Sequence, residues 1–150
     1  QGLSIRFPLN QLPRRSRSAG GIIGMRLQPK DKVVGMDLVM EDARLLIISK
    51  NGMGKLTHLS KFRAQSRAGK GLIAYKITEK TGLVAAAEVV VDSQEVFVIT
   101  SKAIVFRTNI SEISNQNRHT LGVKIIKPDP GDSVTSLTCV TSRGKPAVLD

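Results

Sequence analysis

Gly2 to Leu27 reads GLSIRFPLNQLPRRSRSAGGIIGMRL, and fifty residues later Gly52 to Ile77 reads GMGKLTHLSKFRAQSRAGKGLIAYKI. A third version, AIVFRTNISEISNQNRHTLGVKIIK, runs from Ala103 to Lys127. The match is positional. Leu9 corresponds to Leu59 and Ile110, Leu12 to Phe62 and Ile113, Arg17 to Arg67 and Arg118, and Gly21 to Gly71 and Gly122. The stretches between them also match: KVVGMDLVMEDARLLIIS from Lys32 faces GLVAAAEVVVDSQEVFVIT from Gly82 and DSVTSLTCVTSRGKPAVL from Asp132. Self-similarity at a fixed period marks an array of one supersecondary unit, each copy burying its neighbour's apolar face. Three copies, at 2–51, 52–102 and 103–150, fill one domain of 150 residues with no linker between them.

Each copy reads as strands. Valine (14) and isoleucine (13) dominate the apolar set, and β-branched side chains favour the pleated backbone. Apolar runs such as Leu45–Ile48 and Val96–Ile99 lie between turn signals: Glu41-Asp42, Asp92-Ser93, Asn51-Gly52, Lys80-Thr81-Gly82 and Pro128-Asp129-Pro130-Gly131. No long window carries the 3.6-residue period of a helix. Fifty residues hold four short strands, so the expected fold is all-β: a propeller-like array of about three four-stranded antiparallel blades, one per copy.

The formal charge of +11 follows the same period. Residues 1–30, 50–78 and 102–127 hold 18 of the 23 basic residues and a single acid, Glu112, for a net +17; the remainder of the chain is −6. Radial packing would bring equivalent segments to equivalent places. Arg14, Arg15 and Arg17, then Lys61, Arg63, Arg67 and Lys70, then Arg107, Arg118 and Lys124 would form a curved cationic band. Such a band suits duplex DNA bent along it and held by its phosphates, without base readout. Aromatic residues make up only 3% of the chain, with no Trp, which disfavours base-stacking recognition of single strands. Glycines follow the shared arginine and suit tight turns, and they also let a phosphate approach backbone N–H groups. In the middle copy, QSRAGKG adds Gln65, Arg67 and Lys70 to Gly69 and Gly71, making it the strongest anion-binding candidate.

These residues resemble the C-terminal domain of the bacterial gyrase A protein, which is a β-pinwheel of blades of this length. QSRAGKG at Gln65–Gly71 is similar to that family's box motif QRRGGKG, matching at Gln65, Arg67, Gly69, Lys70 and Gly71 and departing at Ser66 and Ala68. IRFPLNQL, DKVVGMDLV, NGMGK, RTNISEIS and LGVKIIK resemble successive phrases of its inner blades. The resemblance implies duplex DNA wrapped around the blade rim, supporting ATP-dependent negative supercoiling by DNA gyrase, a type II topoisomerase. The segment itself would be non-catalytic, with ATP and Mg²⁺ used elsewhere in the holoenzyme. The implied partners are DNA, the breakage-reunion region of gyrase A and the gyrase B protein, in a cytoplasmic, nucleoid-associated setting. The family usually has about six blades, so three read as a partial array that could close by pairing with a second copy. The alternatives are the ParC-type C-terminal domain of topoisomerase IV and a protein-interaction propeller.

Other chemistry is not supported. Cys139 has no internal disulfide partner, and no apolar run approaches the roughly 18 residues that span a bilayer. His58 and His119 do not recur between copies, and with one Cys they make no metal site. Tyr75 aligns with Met25 and Ile126 in an apolar strand, which points to packing. RAGKG lacks the first Gly and the final Ser/Thr of a phosphate-binding nucleotide loop, with Ala64 and Gly71 in those places.

Overall fold

The structure, a computed structural model, describes residues 1–92 and 94–141. Ser93 of the expected Asp92-Ser93 turn and the end of the third copy, 142–150, lie outside the described residues. The chain forms strands β1 (Leu3–Ser4), β2 (Arg44–Ser49), β3 (Met53–His58), β4 (Leu72–Ile73), β5 (Val84–Val90), β6 (Gln94–Thr100), β7 (Val105–Asn109), β8 (Val123–Lys124) and β9 (Val134–Thr141). The helical elements among the described residues are three single 3-10 turns, at Leu9–Gln11, Leu59–Lys61 and Ile110–Glu112. These recur with the sequence period. The fold is all-β with antiparallel ladders, as expected.

The copy and the sheet are not the same unit. The four-stranded sheet has the order β5-β2-β3-β8. It takes β2 from the end of the first copy, β3 and β5 from the second, and β8 from the third. The boundary between copies at 51/52 falls inside the β2–β3 hairpin. The strand that follows the second and the third basic loop is handed back to the sheet of the preceding copy. Leu3 pairs with Ile73 and Ser4 with Leu72; one period on, Met53 pairs with Lys124 and Gly54 with Val123. Both pairings have the same register. A Cβ built on Gly71 would lie 2.5 Å from the Ser4 carbonyl oxygen, and one on Gly122 would lie 2.3 Å from that of Gly54. Both glycines also hold left-handed φ values, +83° and +77°. Only glycine satisfies both demands.

Apolar alternation stacks the sheets. Along β2, Leu46 and Ile48 join Val90, Val96, Val98, Ile110 and Val134 in one core, between the four-stranded sheet and the sheet β7-β6-β9. Ile47, on the opposite face, joins Ala43, Leu59, Phe62, Ala74, Tyr75 and Val89 in a second core. A central strand buried on both faces explains the unbroken run LLII, and each such side chain contributes roughly 1.5–3 kcal/mol. Lys32–Met40 departs from expectation. It matches β5 and β9 in sequence but joins no ladder, and Val33, Met36 and Leu38 are exposed, Met36 to 94%. β5 and β9 pair with β2 and β6, which precede them by about forty residues, and no described strand stands in that relation to Lys32–Met40. It lies against β5, where the Val89 N–H donates to Asp37 Oδ2 at 2.9 Å and a Cβ on Gly35 would come within 2.4 Å of the Ala87 carbonyl oxygen.

Gly71→Ala should destabilise the domain by about 2 kcal/mol in chemical denaturation, through left-handed strain and backbone collision. Gly20→Ala, at a glycine with nothing within 4 Å of a built Cβ, should stay within about 0.5 kcal/mol of the parent. Separately, burial and then the neighbouring Glu88 carboxylate push the Cys139 thiol up to about 12. Alkylation of Cys139 near neutral pH should therefore be at least about a hundredfold slower than for an unhindered cysteine, and Glu88→Gln should speed it.

Candidate nucleic-acid interface

The path through the copies repeats: a strand, a 3-10 turn, an extended stretch and a tight loop, followed in the second and third copies by the handed-back strand. Gln65 at the loop entrance donates its backbone N–H to the Arg6 carbonyl at 2.8 Å, and Gln116, one period on, donates to the Leu56 carbonyl at 2.8 Å. The loop then bonds to the segment beyond the preceding loop. Arg26 N–H donates to the Gly69 carbonyl at 2.9 Å, and Lys76 N–H to that of Thr120 at 3.1 Å. The shared arginines complete the tie. The Arg67 guanidinium donates to the Ile23 carbonyl, and Arg118 donates to the Ile73 carbonyl at 3.0 Å. The second and third loops are thus each fastened to the tail of the loop before, so that the three loops follow one another in sequence.

This geometry distributes the expected site residues unequally. Arg14, Arg15 and Arg17 are exposed on the first loop and its approach, Lys61 and Arg63 on the approach to the second, Lys70 on the second loop and Lys124 on β8. Gln65, Arg67, Gly69, Gly71 and Arg118 are less open, and Arg67 and Arg118 are held by the ties just described. Arg67 is built into the loop: its backbone N–H donates to Gln11 Oε1 at 2.7 Å, besides the guanidinium contact to Ile23. Arg107 is exposed but lies across the β6–β7 hairpin, paired with Glu95 at 2.5 Å and 5.7 Å from the Phe97 ring centroid. Its charge is therefore locally balanced, unlike that of Lys70 or Lys124.

One further set of cations belongs to this surface. Arg26, Lys76 and Lys127 occupy one repeat position in the tails that follow the three loops, and all three are exposed. The period alone could have identified them, since each lies fifty or fifty-one residues from the next. Lys55 is the opposite case: it counts toward the basic half of the second copy, yet it is wholly buried. Tyr75 is a core residue, as its alignment suggested, with its hydroxyl 2.6 Å from the Leu121 carbonyl oxygen and 3.2 Å from that of Met53. His58 caps the second 3-10 turn, accepting the Ser60 N–H at 3.2 Å. The described residues show no exposed aromatic side chain.

Strand exchange between consecutive repeats, with basic glycine loops tied one to the next, defines a class of all-β repeat domain. The family described as "DNA gyrase C-terminal domain, beta-propeller" matches at residues 1–40, 43–90 and 94–141, and the chain belongs to it. The DNA gyrase A protein of Dehalogenimonas lykanthroporepellens is 35% identical over 141 residues, covering 90% of this chain and 17% of that protein. The gyrase A protein of Thermotoga maritima is 36% identical over 140 residues, covering 92% and 17%. The chain thus spans about a sixth of the length of these curated relatives. A solved gyrase A C-terminal domain superposes with a TM-score of 0.85 at 29% identity, over 92% of this chain and 47% of that one. The C-terminal domain of a DNA topoisomerase IV superposes with a TM-score of 0.86 at 20% identity, over 93% and 44%, which establishes the shared fold.

One departure from the box motif has a measurable consequence. Ala68, where the box has glycine, sits at φ +63° with its N–H bonded to the Gly24 carbonyl at 2.8 Å. A left-handed alanine costs about 1–2 kcal/mol, partly offset by the greater freedom of an unfolded glycine. Ala68→Gly is expected to stabilise the domain by about 0.5–1 kcal/mol in urea denaturation.

Proposed function

We propose that this chain binds and wraps duplex DNA without sequence preference, as part of the C-terminal domain of a gyrase A protein. The observation that carries this reading is the row of fastened loops. Arg14, Arg15, Arg17, Lys61, Arg63, Lys70 and Lys124 project from it, with Arg26, Lys76 and Lys127 in the tails that follow the loops. Backbone ties hold the loops at regular intervals, so the cations track a polyanion along a path. Arg67 and Arg118 serve this surface from within: one part of each guanidinium is committed to a carbonyl, and each sets the pose of its loop. Gln65, Gly69 and Gly71 shape the second loop so that its backbone comes close to a phosphate. Arg107, balanced by Glu95, contributes least. With no exposed aromatic platform among the described residues, readout of unstacked bases is disfavoured relative to phosphate contact along a duplex.

In the intact protein this segment would act without chemistry of its own. It would present a wrapped duplex to the breakage-reunion region of gyrase A, with gyrase B supplying ATP hydrolysis and Mg²⁺, in the bacterial cytoplasm. The relatives matched in sequence are gyrase A proteins, which favours this reading over a ParC-type role. The paucity of aromatic and Gly-Gly signatures disfavours a protein-interaction propeller.

Duplex affinity should fall steeply with salt, with log K against log[salt] sloping by roughly −0.9 for each phosphate neutralised, and to the same extent on unrelated sequences. Lys70→Ala and Lys76→Ala should each flatten the slope by about 0.9 on every sequence. A flat salt response in the parent chain, or selective capture of a peptide in place of DNA, contradicts the proposal.

A further inference from the structure

Lys55 stands where the repeats disagree, with Ile5 in the first copy and Phe106 in the third. It is 0% exposed, and no carboxylate among the described residues pairs with it. Its ammonium is spent on one loop. Nζ donates to the Asn117 carbonyl at 2.6 Å, to the Arg118 carbonyl, and to Thr120 Oγ1 at 3.0 Å. Three N–H donors thus meet three oxygens of a four-residue segment. The Tyr75 ring centroid lies 5.6 Å away. One repeat earlier, Ile5 lies under the second loop, with its Cδ1 3.4 Å from where a Gly69 Cβ would be. An aliphatic side chain suffices there.

The two loops differ in a way that accounts for the exchange. The second loop has Gly69 and Lys70; the third has Thr120 and Leu121 at those positions. The third loop has therefore lost a flexible glycine and its exposed lysine, and it has gained an interior lysine. Burying an ammonium without a counter-charge is costly. Here the cost is offset by gathering oxygens that would otherwise lack a common partner.

This inference rests on the DNA-binding reading above. We propose that Lys55 is a positioning residue for the third loop: its buried ammonium grips Asn117–Thr120 from beneath, so that Arg118 is held to meet a phosphate, while Lys55 itself never touches the nucleic acid. The charged and titratable groups facing it are Arg118, from the loop, and Tyr75, from the chain after β4; Ile47, opposite it in the β2–β3 ladder, is apolar. Burial, and then the charge of Arg118, push the ammonium down to about 8. A phosphate on the loop would offset that repulsion and strengthen the grip.

The test is a double-mutant cycle on the 150-residue chain, read as the salt slope of duplex binding. Lys55→Met should flatten the slope by about 0.9, as Arg118→Ala does, and the pair together should be no worse than either alone. That flattening corresponds to a roughly eightfold smaller change in affinity for each tenfold change in salt. A parental slope in Lys55→Met, or losses that add in the double variant, would overturn the proposal. In the parent, raising the pH above about 8 should flatten the slope in the same way; if Lys55→Met does not fold, this pH series decides the question. If the parent binds no duplex, the function proposed above falls, and hydrogen exchange tests the grip by itself. The Lys76 amide, bonded to the Thr120 carbonyl, should lose protection in Lys55→Met and, beyond the ordinary base-catalysed rise in exchange, in the parent above about pH 8. Unchanged protection in both would sink the assignment.

Discussion

The architecture depends on one backbone contact, made twice. The strand leaving the second and the third basic loop lies against the first strand of the preceding copy, with a glycine where a Cβ would strike a carbonyl. Because both pairings share one register, the loops are placed at a constant offset from the sheets and from each other. A ladder of two residues per strand is short, and on its own it would be marginal. It is stabilised by what flanks it: the arginine ties to Ile23 and Ile73, the N–H bonds from Arg26 and Lys76, and the burial of Tyr75 behind it.

That arrangement separates two uses of positive charge. Lys70 and Lys124 remain in solvent, where a charge keeps its hydration and acts at a distance on a polyanion. Arg67 and Arg118 are partly drawn into the backbone ties, where planar guanidinium donors suit carbonyl oxygens held in fixed positions. Lys55 is drawn in completely and serves the loop alone. A charge count treats these residues alike. Their burial distinguishes cations left in solvent from one enclosed beneath the loop it holds.

Much of the fold was legible because the copies correct one another. A period of fifty, β-branched runs and recurring turn residues led to stacked antiparallel sheets, and the alignment of Tyr75 with Met25 and Ile126 led to its core position. The same reasoning misjudged Lys32–Met40, whose pattern is that of a strand, because a strand also needs a partner and pattern says nothing about partners. It likewise treated each copy as a blade, since strand exchange leaves no mark in the order of apolar and polar residues. Arg107 joined the cationic band by its place in the repeat, whereas its pairing with Glu95 is a cross-strand contact visible only once β6 and β7 are in register. Arg26, Lys76 and Lys127 were equally periodic and needed only the same alignment to be found.

The amino-acid sequence by itself determined the repeat, the strand character of its segments, the segregation of +17 from −6, and membership of a family whose box motif Gln65–Gly71 resembles. Those are properties of order and composition, readable along one dimension. The tertiary structure alone decided that sheets are shared between copies, that the loops are fastened in a row, and that one lysine of the basic half lies inside. Each of these depends on which backbone groups find hydrogen-bond partners far along the chain. Local preference cannot specify such pairings, because a buried N–H or carbonyl is satisfied by whatever the whole chain brings to it.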